Sequence, residues 1–221
     1  MPTDARMLAV LPHCHQDISL VWEDANFIVI NKPTRLLSVP GRNPANRDSV
    51  LTRLAATYGE LHLAHRLDFD TSGLLVVPLT KASLSNISQQ FQARTVEKEY
   101  VAVVDGLILQ DEGEINLPIA RAEGPLYKIC EQTGKPSRTI FKVAARDQEQ
   151  VITRVNLFPV TGRSHQLRLH MQALGYPILG CEFYGGVARD KAPRLCLHAQ
   201  ALSFNHPLTG ERLHFKAKAE F

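Results

Sequence analysis

The sequence predicts a mixed α+β fold that contains more strand than helix, and three observations support this class. Short apolar runs of strand length recur along the chain and are bounded by turn-forming residues. Only three segments space their apolar residues as an α-helix does. Internal repeats, low-complexity tracts and an obvious linker are absent from the sequence. We therefore expect one main domain rather than a string of small ones.

In the first half of the chain, strands are predicted for residues 18–23, 27–31, 61–67 and 74–79. Lys32-Pro33 ends the second of these, because proline cannot donate a hydrogen bond to a neighbouring strand. An ordered loop follows over 36–46. Asp48 is predicted to cap a helix that runs to Tyr58, with Gly59 at its C-terminal end. The third and fourth strands are separated by a polar turn over 68–73.

In the second half, Thr80 is predicted to cap a helix that runs to Ala93. A strand over 99–104 carries Tyr100, and residues 115–158 contain three or four antiparallel strands with polar turns. Residues 164–174 have the pattern of a helix that stops at Gly175-Tyr176-Pro177. Strands over 195–197, 201–204 and 212–216 complete the prediction.

Composition places the chain among soluble proteins. Hydrophobic residues make up 44% of its 221 residues, and no uninterrupted apolar run approaches the length of about 18 residues that a membrane span needs. With no signal-peptide pattern at the start, we expect a cytoplasmic protein. The four cysteines form no CxxC pair, which argues against a zinc ribbon or a disulfide framework.

The net charge of +3 is compatible with a nucleic-acid partner without requiring one. Its distribution is more informative. Residues 32–53 contain five basic side chains and one acid, and residues 161–180 contain two arginines and two histidines but no acid. These two segments favour a polyanion, although such clusters are often ordinary solvated surface.

Two motifs are candidates for chemistry. Asp68 lies in the polar turn before a strand, a common position for an active group, although an aspartate there could equally cap the turn. Asp68 and Asp70 could also form the carboxylate pair of a glycosidase. The second motif, residues 161–168, places Arg163 and Arg168 at a helix start, where they could bind a phosphate or carboxylate or remain solvated. The P-loop and GxGxxG patterns are absent, which argues against a nucleotide cofactor, and the absence of GxSxG argues against a nucleophilic serine.

Taken together, the motifs resemble the RluA family of RNA pseudouridine synthases. The resemblance is carried by His65-Arg66-Leu67-Asp68 with Thr71-Ser72-Gly73-Leu74, and by Asn31-Lys32-Pro33, Lys98-Glu99-Tyr100, residues 161–170, His198-Ala199 and His206-Pro207, in the same order along the chain. It covers residues 18–221 and leaves an N-terminal extension over 1–17. About thirty residues precede Asn31, too few for the S4 RNA-binding domain of many relatives. The lack of room for an S4 domain favours the RluA subgroup, and so does the resemblance of residues 36–42 and 133–136 to that subgroup.

The resemblance implies a catalytic domain with a mixed, mainly antiparallel sheet, flanked by helices and loops around a central RNA-binding cleft. It implies isomerisation of uridine to pseudouridine in stem-loops of 23S rRNA, of tRNA (the anticodon loop) or of both, without cofactor or metal. Asp68 corresponds to the essential aspartate, Arg168 to its ion-pair partner and Tyr100 to the tyrosine that stacks on uracil. Arg66 corresponds to the residue that supports the flipped-out base, and we expect His65 and Arg163 to contact RNA beside it.

The resemblance also implies a monomer that needs RNA but neither a membrane nor a protein partner. Two alternatives remain open at this stage. One is a non-catalytic RNA-binding protein with the same fold, and the other is a hydrolase that uses Asp68 and Asp70 and releases free uracil or sugar.

Overall fold

The computed structural model describes residues 9–221, which divide into two compact units. The first unit combines the N-terminal part of the chain through Val96 with Leu202–Lys218, and the second comprises Glu97–Ala201 and Ala219–Phe221. The strands are β1 (Ser19–Glu23), β2 (Phe27–Lys32), β3 (Ser72–Pro78), β4 (Glu97–Asp105), β5 (Glu112–Asn116), β6 (Ile119–Arg121), β7 (Tyr127–Ile129), β8 (Arg138–Asp147), β9 (Ile152–Pro159), β10 (Leu197–Asn205) and β11 (Arg212–Lys216). The α-helices are α1 (Val50–Tyr58), α2 (Lys81–Ala93) and α3 (Gln166–Ala173).

In the first unit, β1, β2 and β3 pair in that order, and both pairings are antiparallel. Strands β2 and β3 are buried along almost their whole length. Their continuous apolar runs explain this, because a strand covered on both faces has no polar side to alternate with. The core of the unit is aromatic at its centre, where Phe27, Phe204 and Phe215 are in mutual contact.

The two helices of the first unit begin at capping boxes. In α2 the cap is the predicted Thr80, whose hydroxyl accepts from the Ser83 N–H. In α1 the cap is Ser49 and not Asp48 as the sequence predicts. Both residue types cap helices well, but the Asp48 carboxylate is taken by Arg53 through two hydrogen bonds of 2.7 Å. The Asp48 pKa is lowered mainly by that contact.

The second unit contains a sheet in the order β4-β9-β8-β5, with every pairing antiparallel. Buried and half-buried residues alternate along β9, as expected where one face of a strand packs on the core. A separate hairpin is formed by β6 and β7. Helix α3, predicted over 164–174, is present, and a 3-10 helix spans Gly186–Lys191.

Other differences from the sequence-based assignment concern strands. Residues 61–67 do not form the predicted strand. The region predicted to hold three or four strands contains five, β5 to β9. Of the strand predicted over 195–197 only Leu197 is in a strand, and it belongs with residues 201–204 to the continuous β10. The mixed α+β class with a mainly antiparallel sheet is confirmed.

The N-terminal extension, as far as it is described, is attached to the first unit. The Asn46 amide accepts from the Leu11 N–H and donates to the Ala9 carbonyl, both at 2.8 Å. Arg53 donates to the carbonyls of Gln16, at 2.6 Å, and Cys14. Cys14 is buried, and its thiol lies 3.3 Å from the Thr34 carbonyl. Residues 9–16 therefore contact both the loop that follows β2 and helix α1.

Within residues 9–221, no helix is long and apolar enough to cross a membrane. Over the same range, the structure brings together no cluster of three or more His, Cys, Asp or Glu side chains that could hold a metal ion.

Candidate active site

Asp68 lies in the first unit, in an irregular segment between α1 and β3, and its side chain is partly exposed. The Thr71 N–H donates to the Asp68 carbonyl at 3.2 Å, which closes a turn. The preceding residue, Leu67, is buried, and Ser38 binds both of its backbone groups. The Ser38 hydroxyl donates to the Leu67 carbonyl at 2.8 Å and accepts from its N–H at 3.1 Å.

Two further side chains, from the end of β2 and the residues just after it, bind the backbone on the other side of Asp68. The ammonium group of Lys32 is fully buried and donates to the carbonyls of Phe69, at 3.3 Å, and of Pro33 and Leu36, at 2.8 and 2.7 Å. Thr34 donates to the carbonyl of Asp70 at 2.7 Å. Backbone atoms on both sides of Asp68 are thus fixed by polar side chains, so the loop position is determined without a neighbouring strand.

His65 and Arg66 lie in different environments. The Nε2 atom of His65 accepts from the Val76 N–H of β3 at 3.1 Å, and its ring stacks on Phe91 of α2 with centroids 4.3 Å apart. The His65 ring therefore joins the loop to β3 and α2. Arg66, in contrast, is exposed to solvent two residues before Asp68.

The basic segment 32–53 is less available to a polyanion than its composition suggests. Lys32 is buried, and Arg53 is engaged by Asp48 and the N-terminal segment. The three exposed cations of the segment are Arg35, Arg42 and Arg47.

Tyr100 lies in the second unit. It is the fourth residue of β4, is paired in register with Leu157 of β9, and packs against the apolar core while remaining partly exposed.

Arg168 lies on α3 in the same unit and is only 2% exposed. Its Nε donates to the Cys181 thiol at 3.3 Å. Its guanidinium carbon lies 5.2 Å from the ring centroid of Phe183 and 5.3 Å from that of Tyr184. Both distances fall in the range of cation–π contacts, which favour the charged form of arginine in a buried setting.

The start of α3 is held by Gln166 and not by a conventional cap. The side-chain amide oxygen of Gln166 accepts from the Thr161 hydroxyl at 2.7 Å and from the Arg163 N–H at 3.0 Å. His165 precedes the helix in the left-handed conformation, with φ of 56°. The partly exposed Arg163 side chain reaches the Pro136 carbonyl at 3.4 Å.

One turn further along α3, His170 completes a buried hydrogen-bond chain. Its Nε2 donates to the Leu117 carbonyl at 3.0 Å, and its Nδ1 lies 2.9 Å from the Thr139 hydroxyl. Burial lowers the His170 pKa, although the contact with Leu117 opposes that shift. A neutral ring matches this geometry, because one nitrogen donates and the other accepts.

Six residues were singled out by sequence, and three lie in each unit: His65, Arg66 and Asp68 in the first, and Tyr100, Arg163 and Arg168 in the second. Sequence reasoning assigned no role to the side chains that hold these residues. Lys32, Thr34 and Ser38 support the Asp68 loop, and Cys181, Phe183 and Tyr184 surround Arg168. Lys32 and Ser38 were visible as parts of the resembling motif, but only the contacts reveal what they bind.

Comparison with known proteins supplies the family. A sequence model described as RNA pseudouridylate synthase matches residues 26–173, which is more than half of the chain. The chain belongs to this family. The resemblance inferred from the motifs is therefore confirmed, and with it the predicted enzyme class, an RNA pseudouridine synthase.

Curated members of the pseudouridylate synthase family match along almost the whole chain. A Pasteurella multocida protein named dual-specificity RNA pseudouridine synthase RluA is 46% identical over 218 residues, covering 97% of this chain and 99% of the relative. Proteins of the same name from Yersinia pestis and Escherichia coli K12 are 48% and 46% identical over 205 residues. Each of these alignments covers 91% of this chain, with 99% of the first relative and 93% of the second.

Solved structures agree with this assignment. Human RNA pseudouridylate synthase domain containing 1 superposes with a TM-score of 0.81 at 30% identity, covering 95% of this chain and 86% of the human chain. Human RNA pseudouridylate synthase domain containing 4 gives a TM-score of 0.71 at 25% identity, covering 90% and 88%. Both support the pseudouridylate synthase fold for this chain.

Proposed function

We propose that this synthase isomerises specific uridines to pseudouridine in stem-loops of 23S rRNA and in the anticodon loop of tRNA, with Asp68 as its catalytic carboxylate. The observation that carries the assignment of Asp68 is the support around it. Buried or partly buried polar side chains fix the backbone of Leu67, Phe69 and Asp70, while the Asp68 side chain remains partly exposed. A reacting group needs a defined position and access to substrate.

The reaction moves a bond within one nucleotide. The N-glycosidic bond between uracil N1 and the sugar breaks, the uracil turns, and its C5 atom bonds to the same sugar carbon. The ionised Asp68 either attacks the sugar carbon or removes a sugar proton, and it is regenerated at the end of either route. The proton lost from C5 replaces the bond at N1, so composition and oxidation state do not change and no redox cofactor is needed.

We assign Tyr100 to the uracil, on which its ring stacks and whose C5 proton it helps to move, and Arg168 to the stabilisation of the charged carboxylate. An arginine near a carboxylate favours the ionised form most strongly where water is excluded. The burial of Arg168 against two aromatic rings supports this role, because it keeps the guanidinium in one orientation.

RNA recognition is assigned to exposed cations. Arg66 is exposed beside Asp68 and supports the flipped state, since a uridine that leaves its stack costs a few kcal/mol and a guanidinium can fill the gap. Arg163 contributes to phosphate binding. His65 serves the same region indirectly, because its ring holds the loop against β3 and α2. The shared name of the relatives, which includes the words dual-specificity, supports two classes of RNA substrate.

The decisive experiment measures tritium release from RNA labelled at uracil C5, with 23S rRNA fragments and tRNA anticodon stem-loops as separate substrates. The wild-type protein is expected to release tritium from both and to leave the mass of the unlabelled RNAs unchanged. Asp68→Asn keeps the shape of the side chain but removes its charge, so it should abolish turnover while RNA affinity is kept. Residual activity within about tenfold of wild type would contradict the assignment of Asp68.

Asp70→Asn is the matched control, because it makes the same substitution two residues along the same turn. It is expected to leave turnover within about tenfold of wild type. A hydrolase that used both carboxylates would lose activity in either variant and would release free uracil or sugar. A protein that only binds RNA would retain affinity and release no tritium.

We further propose that residues 18–221 act as a single catalytic domain, that residues 1–17 are an extension of it, and that the protein is a cytoplasmic monomer. The family match over residues 26–173 supports the single catalytic domain, and the intracellular RNAs proposed as substrates support the cytoplasm.

A further inference from the structure

The surroundings of Arg168 are built from a tightly wound segment between α3 and β10. The Gly180 N–H donates to the Ala188 carbonyl and the Gly185 N–H to the Cys181 carbonyl, both at 2.9 Å. Gly180 has a φ of 69°, and a Cβ atom there would lie 1.8 Å from the Arg194 carbonyl oxygen. Only glycine fits such a contact, so this close approach to Arg194 requires glycine at position 180. The segment that follows Gly180 places Cys181, Phe183 and Tyr184 around the guanidinium.

Tyr184 is connected on two sides. Its ring face lies against Arg168. Its hydroxyl accepts from the Tyr127 N–H of β7 at 3.0 Å and forms a 2.7 Å hydrogen bond with Nδ1 of His165, the residue that opens α3. Tyr184 is thus joined to α3 at its first turn through the hydroxyl and at Arg168 through the ring.

Phe183 supplies the second ring. It covers Arg168 at 5.2 Å and lies almost parallel to His165, with centroids 5.8 Å apart and an interplanar angle of 27°. Phe183 is 42% exposed, so it is not part of the buried core.

We propose that Tyr184 and Phe183 are positioning residues for the isomerisation: their rings fix the orientation of the Arg168 guanidinium, and the Tyr184 hydroxyl ties that orientation to His165 and β7. This inference rests on the proposed function, because it gives the two rings a role only if Arg168 takes part in the reaction. The competing explanation is that both aromatics merely stabilise the second unit. The two explanations differ in whether the aromatics act through Arg168.

The test is a double-mutant cycle on the full chain, with single-turnover tritium release at saturating stem-loop RNA as the readout. Tyr184→Leu should slow the reaction by about 30-fold, the factor that corresponds to a desolvated cation–π contact of about 2 kcal/mol. Tyr184→Phe, which keeps the ring, should recover most of that loss. Phe183→Leu replaces a half-exposed side chain, so the protein should still fold, and a slower rate is expected.

The decisive variant combines Tyr184→Leu with Arg168→Lys. If Tyr184 acts through Arg168, the double variant will be no slower than Arg168→Lys alone; independent roles would multiply the two losses. Tyr176→Leu is the matched control for lost aromatic packing, because Tyr176 packs on the same core from the side of Gly106. It should lower the unfolding midpoint without changing the saturated rate.

A second readout does not depend on activity. Two rings over the guanidinium should shift the Arg168 Nε–H resonance upfield and slow its exchange with water. Phe183→Leu and Tyr184→Leu should reduce both effects, whereas Tyr184→Phe should preserve them. The resonance is assigned by its loss in Arg168→Lys.

The outcomes separate cleanly. Wild-type protein that releases no tritium from any RNA would refute the proposed function. The Arg168 Nε–H resonance would still test whether the two rings hold the guanidinium in place. Active wild type with unaffected Phe183→Leu and Tyr184→Leu, or multiplicative losses in the double variant, would overturn the positioning role alone. Wild-type activity in Arg168→Lys would overturn it as well. If Tyr184→Leu fails to fold, Phe183→Leu combined with Arg168→Lys provides the same cycle.

Discussion

Ser38→Ala is the most direct test of how the Asp68 loop is held. The substitution removes one hydroxyl from a position that is 3% exposed, and with it the hydrogen bonds to both backbone groups of the buried Leu67. Each such bond contributes about 0.5–1.5 kcal/mol, so the variant should lose about 1–3 kcal/mol of stability. Leu67 immediately precedes Asp68. If this free energy is lost entirely from the loop conformation in which Asp68 reacts, the rate should drop by about 5- to 150-fold.

Ser83→Ala is the matched control for Ser38→Ala. Ser83 is also buried in the first unit, and its hydroxyl donates to the Asn26 carbonyl at 2.6 Å and accepts from the Thr80 N–H at 3.1 Å. Both variants should lower the urea midpoint by similar amounts, but only Ser38→Ala should slow single-turnover tritium release at saturating RNA. Equal rates in the two variants would refute the idea that Ser38 positions Asp68.

Three further outcomes are expected. Arg66→Ala should slow single-turnover modification of a folded stem-loop by about tenfold or more while its filter-binding Kd changes by less than about threefold, because encounter is spread over many phosphates; an unchanged saturated rate would exclude the flipping role. His170 has a lowered pKa, so the stability it contributes is complete above about pH 6.5 and is lost as pH falls toward its folded pKa. His170→Gln should therefore flatten the change in urea midpoint between about pH 7 and 5, and an unaltered pH profile would count against it. Arg53→Met removes the donor to Gln16 and Cys14 and should speed deuterium exchange over residues 9–17; wild-type exchange there would show that Arg53 does not hold this segment.

The elements that sequence predicted best are those in which local pattern and tertiary environment agree. Strands β2 and β3 are mainly apolar and are buried along almost their whole length, and α2 begins at the predicted cap, Thr80. Residues 61–67 show the opposite case. Their alternation resembles a strand, but Leu67 finds its partners on Ser38 and His65 binds the N–H of Val76. Side chains distant in sequence replace a neighbouring strand, which no local pattern reveals.

The sequence predicts two strands where the structure has the single strand β10, because polar residues interrupt the apolar pattern at its centre. The structure runs straight through them, with His198 buried and the Gln200 amide donating to Glu99 at 2.8 Å and to Asn156 at 3.3 Å. Polar residues are tolerated in a strand when neighbouring elements satisfy them.

In the candidate site, too, some residues could be found from local sequence motifs, whereas others depend on contacts between residues distant in sequence. Asp68, Tyr100 and Arg168 were found through motifs that resemble a family. The roles of Lys32 and Tyr184 depend on contacts with Phe69 and Arg168 that only the folded chain brings about.

The composition of the first unit has a consequence for folding during synthesis. Its apolar core combines Phe27 and Val76 with Phe204 and Phe215, which the ribosome adds only after residues 97–201 have been made. The core of the second unit draws almost entirely on that intervening stretch. On the ribosome, then, the part of the chain that carries Asp68 emerges early but cannot complete its core, whereas the part that carries Tyr100 and Arg168 can do so first. Asp68 therefore reaches its final setting late, after the segment between has had time to fold.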